Sequence, residues 1–217
     1  MDNLIGLRFE ECDGLSDIGI SALASMKLVS LEIKLYASEE WRQYYVDGVD
    51  GQAPFEPPVL TAASFLSFAG AAISQSLESF LLHFVYTDDK HIADDQLAVA
   101  IASCHKLKRL HVDWGLSNVS YGGCVFGRSN GIVGLQTLAA GCPLLEDVSL
   151  KTIDDPEGLL CLAKGCVNLK NVNFTTPWFE YGGYQGEFHE SEMYEVLNAQ
   201  YPHVKLVKKV MTKRACL

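Results

Sequence analysis

The chain lacks any apolar run long enough to span a bilayer. Its longest stretch, Val59–Ile73, holds 15 residues interrupted by Thr61, Ser64 and Ser67, against the roughly 20 that a helix needs to cross the hydrocarbon core. Positive charge is also scarce: 17 Lys and Arg stand against 27 Asp and Glu, a net charge of −10. Such a surface repels a phosphate backbone, so simple electrostatic binding to nucleic acid is not expected. No Cys-x-x-Cys pair occurs among the seven cysteines, which removes the usual spacing of a zinc ribbon or thiol-disulfide site. The opening residues, Met-Asp-Asn-Leu-Ile-Gly, carry no basic region ahead of an apolar run, so no secretory signal is expected. With an odd cysteine count, this predicts reduced thiols and a cytoplasmic or nuclear location. What is plentiful is apolar side chain, 48% of 217 residues, enough to exclude intrinsic disorder.

That apolar content is organised by a repeat. The spacing L-x-x-L-x-L, with Ile, Val or Phe allowed, recurs six times. It stands at Leu4/Leu7/Phe9, Leu28/Leu31/Ile33, Leu77/Phe80/Leu82, Leu107/Leu110/Val112, Leu145/Val148/Leu150 and Leu169/Val172/Phe174. Alternation at period two predicts short strands, with one set of side chains in a core and the other facing out. Helical runs are predicted at Asp17–Ser25, Pro58–Ser74, Asp94–Ser103, Gly131–Ala140, Pro156–Lys164 and Glu190–Gln200. Asp155-Pro156 has the form of an N-cap followed by a first-turn proline. Gly141 and Gly165 fall where a left-handed residue would close a helix. Three residues before the ladder leucines stand Ser25, Ser74, Cys104, Cys142 and Cys166, small side chains suited to stacking between a helix end and the next strand. Val204 and Leu206-Val207 predict a short terminal strand within the basic tail 205–217.

The segments Leu138–Leu150 (LAAGCPLLEDVSL), Leu162–Phe174 (LAKGCVNLKNVNF) and Leu7–Ala24 (LRFEECDGLSDIGISALA) resemble the cysteine-containing leucine-rich repeat of F-box proteins, the substrate receptors of cullin-based ubiquitin ligases. The resemblance implies an α/β solenoid with one curved parallel sheet and helices on its convex side. It treats 1–217 as one repeat domain. Successive ladders begin 24, 49, 30, 38 and 24 residues apart, where leucine-rich repeats run roughly 20–29. The excess is insertion, at about 36–57, 114–130 and 176–188. An F-box normally precedes the repeats, whereas the first ladder here begins at Leu4. The expectation is therefore either the repeat half of a larger receptor or a free-standing repeat protein, with an edge at Leu4, Ile5 and Leu7 that is sticky unless a further segment caps it.

The three inserts hold all three tryptophans. Trp41, Tyr44 and Tyr45 lie in the first, Trp114 and Tyr121 in the second, and Trp178, Phe179, Tyr181 and Tyr184 in the third. Each insert follows a strand, so all should leave the sheet at one edge. Large, low-entropy aromatic side chains suit a recognition surface; the alternative is that they fold down to cover the sheet. Outward strand positions, among them Arg109, His111 and Lys151, add a polar floor. No catalytic constellation is expected. Gly127–Gly131 fits the G-x-S-x-G pattern around Ser129, but the preceding 117–127 reads as loop where a nucleophile elbow needs a strand. The acidic run Asp88–Asp95 lacks calcium-loop spacing, and Asp94 or Asp95 is expected to cap a helix. No metal or cofactor is expected. The functional expectation is a non-enzymatic protein-interaction module, tied by resemblance to ubiquitin-ligase substrate recognition; the alternative is a small-molecule or peptide sensor closed by the aromatic inserts.

Overall fold

The computed structural model describes residues 5–10, 12, 15–35, 62–84, 94–114, 131–152, 156–175 and 190–209. They form an α/β fold around one seven-stranded parallel sheet. The strands are β1 (Gly6–Glu10), β2 (Ser30–Leu35), β3 (Ser79–Phe84), β4 (Arg109–Trp114), β5 (Asp147–Thr152), β6 (Asn171–Thr175) and β7 (Lys205–Lys209). Their order in the sheet is their order in the chain. The helices are α1 (Asp17–Ala22, continued by a 3-10 turn Leu23–Ser25), α2 (Ala62–Leu66), α3 (Asp94–Ala102), α4 (Gly131–Gly141), α5 (Pro156–Gly165) and α6 (Glu190–Gln200). Every predicted ladder coincides with a strand, and the terminal strand is β7, so the tail 205–217 begins inside the sheet. Among the described residues no helix is long and apolar enough to cross a membrane.

The registers explain why the sheet grows one strand at a time. The backbone carbonyls of Ile5, Val29, Glu78, Lys108 and Glu146 each accept two N–H groups from the following unit, at 2.7–3.1 Å. Lys170 O continues the series by accepting from Lys205 N. Behind this rail the first ladder residues Leu28, Leu77, Leu107, Leu145 and Leu169 form a fully buried row, extended by Val204. Leu31, Phe80, Leu110, Val148 and Val172 form the next row, in register across β2–β6. Burial of each such side chain contributes about 1.5–3 kcal/mol relative to exposure. Phe65 of α2 meets Phe68 and, on β3, Phe80 edge-to-face at centroid distances of 5.6 and 5.7 Å, which fastens the helical layer to the sheet. At the β1 edge the packing is incomplete. Leu7 and Phe9 are only half-buried, and Ile5 and Ile18 are 66% and 84% exposed.

Three local expectations change. The run Pro58–Ser74 does not make one helix: its described part is the short α2, then turns through Gly70 at φ +72°, then a 3-10 turn Ile73–Gln75. A left-handed residue interrupts the α-helical hydrogen-bond series there. Gly141 and Gly165 are the last residues of α4 and α5, and Gly70 is the glycine with positive φ among the described residues. Their role is steric. A Cβ on Gly141 would lie 2.2 Å from Ala102 O, and one on Gly165 would lie 2.7 Å from Ala139 Cβ. Asp94 and Asp95 are the first two residues of α3, where acidic residues favour the positive end of the helix dipole. Asp155 lies outside the described residues.

The small-residue column is present from the second unit onward. Ser74, Cys104, Cys142 and Cys166 are buried, whereas Ser25 is exposed. Cys142 Sγ donates to Ile101 O (3.3 Å) and Cys104 O (3.6 Å), and Cys166 Sγ to Cys142 O (3.4 Å). The five described cysteines are free thiols. Burial pushes Cys104 and Cys166 up to about 11 and moves Cys142 upward as well, with the neighbouring thiols adding to the last. A raised thiol pKa means that the folded state holds its proton more tightly than the unfolded chain. The stabilisation is complete below pH 9 and is lost as pH rises toward 11. Melting temperature should therefore fall over that interval. At pH 8.5 iodoacetamide should label half-buried Cys12 and Cys161 at least about tenfold faster than the column, as read by mass spectrometry of native protein. Equal labelling would mean that the thiols are not stacked.

Candidate interaction face

Among the described residues, the sheet has one face turned to the helices and one that no other element covers. Alternate strand residues supply the open face, and none whose side chain is described is buried. Its first row across the strands is Gly6, Ser30, Ser79, Arg109, Asp147, Asn171 and Lys205. The second is Arg8, Glu32, Leu81, His111, Ser149, Asn173 and Val207. Parallel pairing at about 4.8 Å per strand brings these residues together from distant parts of the chain.

The face divides electrostatically. On β1 and β2 the charges neutralise one another: Arg8 Nη2 donates to Glu10 Oε2 at 2.6 Å, Arg8 Nε lies 3.6 Å from Glu32 Oε1, and Lys34 Nζ is 2.6 Å from the same Glu32 oxygen. Just before the strands, Lys108 donates to Glu78 at 2.8 Å and Lys170 to Glu146. The Lys108 ammonium holds the Glu78 carboxyl below its usual range, and the Glu146 carboxylate holds Lys170 above its own. These pairs are solvent-exposed and modest in energy. On β5 and β6, Asn171 Nδ2 donates to Asp147 Oδ1. Arg109 and Lys205 are exposed.

Of the predicted site residues, Arg109 and His111 are on the open face of β4, exposed and half-buried respectively. Trp114 is the last residue of β4, so the second insert starts at 115 rather than 114; β4 extends to match Phe84 of β3 in register. Lys151 stands in β5, but the pairing shifts between Leu150 and Thr152, and Thr152 is the residue opposite Thr175. Regular alternation would have paired Lys151 there; the irregularity takes it out of the row. Trp41, Tyr44, Tyr45, Tyr121, Trp178, Phe179, Tyr181, Tyr184 and Ser129 lie outside the described residues. The strands that precede the inserts, β2, β4 and β6, all end at the same edge of the sheet, with Leu35, Phe84 and Trp114 aligned across β2–β4. Lys205, counted from sequence with the tail, belongs to the face. The alternation of Val204, Lys205 and Leu206 carried that signal.

Among the described residues no group of three or more His, Cys, Asp or Glu could hold a metal ion. No protein-family model and no curated protein sequence matches the chain, so its functional reading rests on the fold and this face.

Proposed function

We propose that the chain is a leucine-rich-repeat solenoid that recognises a protein partner on the open face of its sheet and on the aromatic inserts along one edge. In this reading it is the substrate-recognition part of an F-box-type ubiquitin-ligase receptor of the cytoplasm or nucleus, with no catalysis of its own. The observation that carries the proposal is the coincidence of six sequence ladders with six consecutive parallel strands, which leaves a mostly polar face that no described element covers. Magnitudes favour a joint surface. Seven strands at about 4.8 Å and five residues at about 3.3 Å give a floor of roughly 500 Å². A stable complex buries about 800 Å² on each side. The inserts, rich in Trp and Tyr, are the natural source of the remainder and of the anchoring side chains.

Single variants Trp41→Ala and Trp178→Ala test this against a partner captured from cytosolic extract and then purified. Each anchor replaced should weaken binding by about 2 kcal/mol, near 30-fold, with the melting temperature almost unchanged. Sharp loss of thermal stability in both would make the inserts a cover over the sheet and overturn the recognition surface. The ligase assignment is tested separately, by whether the cellular protein co-purifies with the cullin adaptor.

A further inference from the structure

We infer that the C-terminal half of the open face docks an acidic, extended peptide segment of the partner, with Arg109 and Lys205 as its two carboxylate anchors. The inference rests on the recognition reading above and names the chemistry of the partner. The distribution of neutralised charge points to it. Arg8 and Lys34 are held by Glu10 and Glu32, and the cations just before the strands are held by Glu78 and Glu146. Among the described side chains of the strands, Arg109 and Lys205 are the cations without an ion pair within 4 Å, although Arg109 also acts at longer range on the Glu78 carboxylate that Lys108 holds.

They share one row with Asp147 and Asn171 between them. Asp147, the carboxylate next to Arg109 in that row, is engaged by the Asn171 amide, and no ion pair joins it to Arg109. The described charge of the row is therefore two cations against one hydrogen-bonded anion, on a chain whose net charge is −10. With a Debye length of about 8 Å at physiological salt, distant acidic groups are largely screened, and contact chemistry decides which ligand is held. Guanidinium and ammonium groups both bind carboxylates, Arg in a two-pronged geometry.

Geometry sets the spacing. Arg109 and Lys205 are three strand steps apart, about 14 Å, which an extended peptide covers in about four residues. A peptide lying across the strands with acids at i and i+4 would meet both cations. The Ser149 hydroxyl and Asn173 amide of the adjacent row are placed to hydrogen-bond its backbone. A nucleic acid fits less well, because two cations are few against one phosphate charge per 1.7 Å of duplex.

The test is selection of random dodecapeptides displayed on phage against the folded chain, followed by fluorescence anisotropy of enriched sequences. Enrichment of acid-x-x-x-acid peptides is expected, with binding weakened at least tenfold by Arg109→Gln and by Lys205→Gln and less than twofold by Arg8→Gln. The last variant removes the same charge from the neutralised half, so it controls for net charge, and circular dichroism verifies folding of all three. Equal weakening by the three variants would overturn the proposal, as would displacement of the peptide by an oligonucleotide of equal charge. Enrichment of non-acidic peptides that bind the Arg109 and Lys205 variants normally would overturn the acidic partner and leave the recognition reading standing. Absence of any enrichment over the bare matrix would count against both.

Discussion

Leu145→Ala and Leu169→Ala should each lower stability by about 2–5 kcal/mol, the range for truncating a fully buried leucine. Both side chains are completely inaccessible, in the row behind the carbonyl rail. Each is the first residue of its ladder and packs between the helix that precedes it and the strand that follows. The neighbouring backbone is fixed by the turn from Cys142 O to Leu145 N (3.2 Å) and from Cys166 O to Leu169 N (2.9 Å), so the cavity has little means of collapse. For a chain of this length each kcal/mol moves the melting temperature by about 2–4 °C. Urea denaturation of the two variants is the direct measurement. A cost below about half a kcal/mol at both sites is incompatible with the ladder register.

Gly141→Ala should destabilise by about 3 kcal/mol, the upper part of the range for overpacking, although glycine to alanine within a helix ordinarily stabilises by about 1 kcal/mol. The reversal is steric. The added methyl would sit 2.2 Å from Ala102 O and 2.5 Å from Ala102 Cβ. Backbone and Cβ atoms have no rotamer by which to retreat, so α3 and α4 must separate. Gly19 in α1 is the internal control. There the nearest atom to an added Cβ is Leu15 Cδ1 at 3.5 Å, an ordinary contact, and Gly19→Ala should be neutral or stabilising. Opposite signs at the two positions in one denaturation series would establish the helix contact; a neutral Gly141→Ala would refute it.

The strands were legible because period-two alternation, repeated six times, leaves little freedom over which side chains are inside. Repetition also located the helices, most of them to within a residue or two. What escaped had a cause outside the local pattern. Gly141 carries the same identity whether it closes a helix by a left-handed turn or admits a neighbouring helix, and only the contact with Ala102 decides. The irregularity at Lys151 depends on how β5 pairs with β6. The candidate face shows the same limit. Arg8, Lys34, Arg109 and Lys205 look alike along the chain; Glu10 and Glu32 stand two residues from Arg8 and Lys34, but the Arg8–Glu32 pair and the shared row of Arg109 and Lys205 follow only from the register of strands. The aromatic inserts follow strands of known register, yet no alternation within them fixes which way a side chain turns.

The rail of doubly accepting carbonyls has a mechanical meaning. Because sheet order equals chain order, tension applied between the two ends of the sheet loads its outermost strands first, and each strand that peels exposes the next. The strands begin at residues 6, 30, 79, 109, 147, 171 and 205, so successive detachments release 24, 49, 30, 38, 24 and 34 residues. At about 3.6 Å of contour per residue, the longest and shortest steps differ twofold. The unequal segments between strands thus write an uneven extension pattern into a sheet whose hydrogen bonding is nearly periodic.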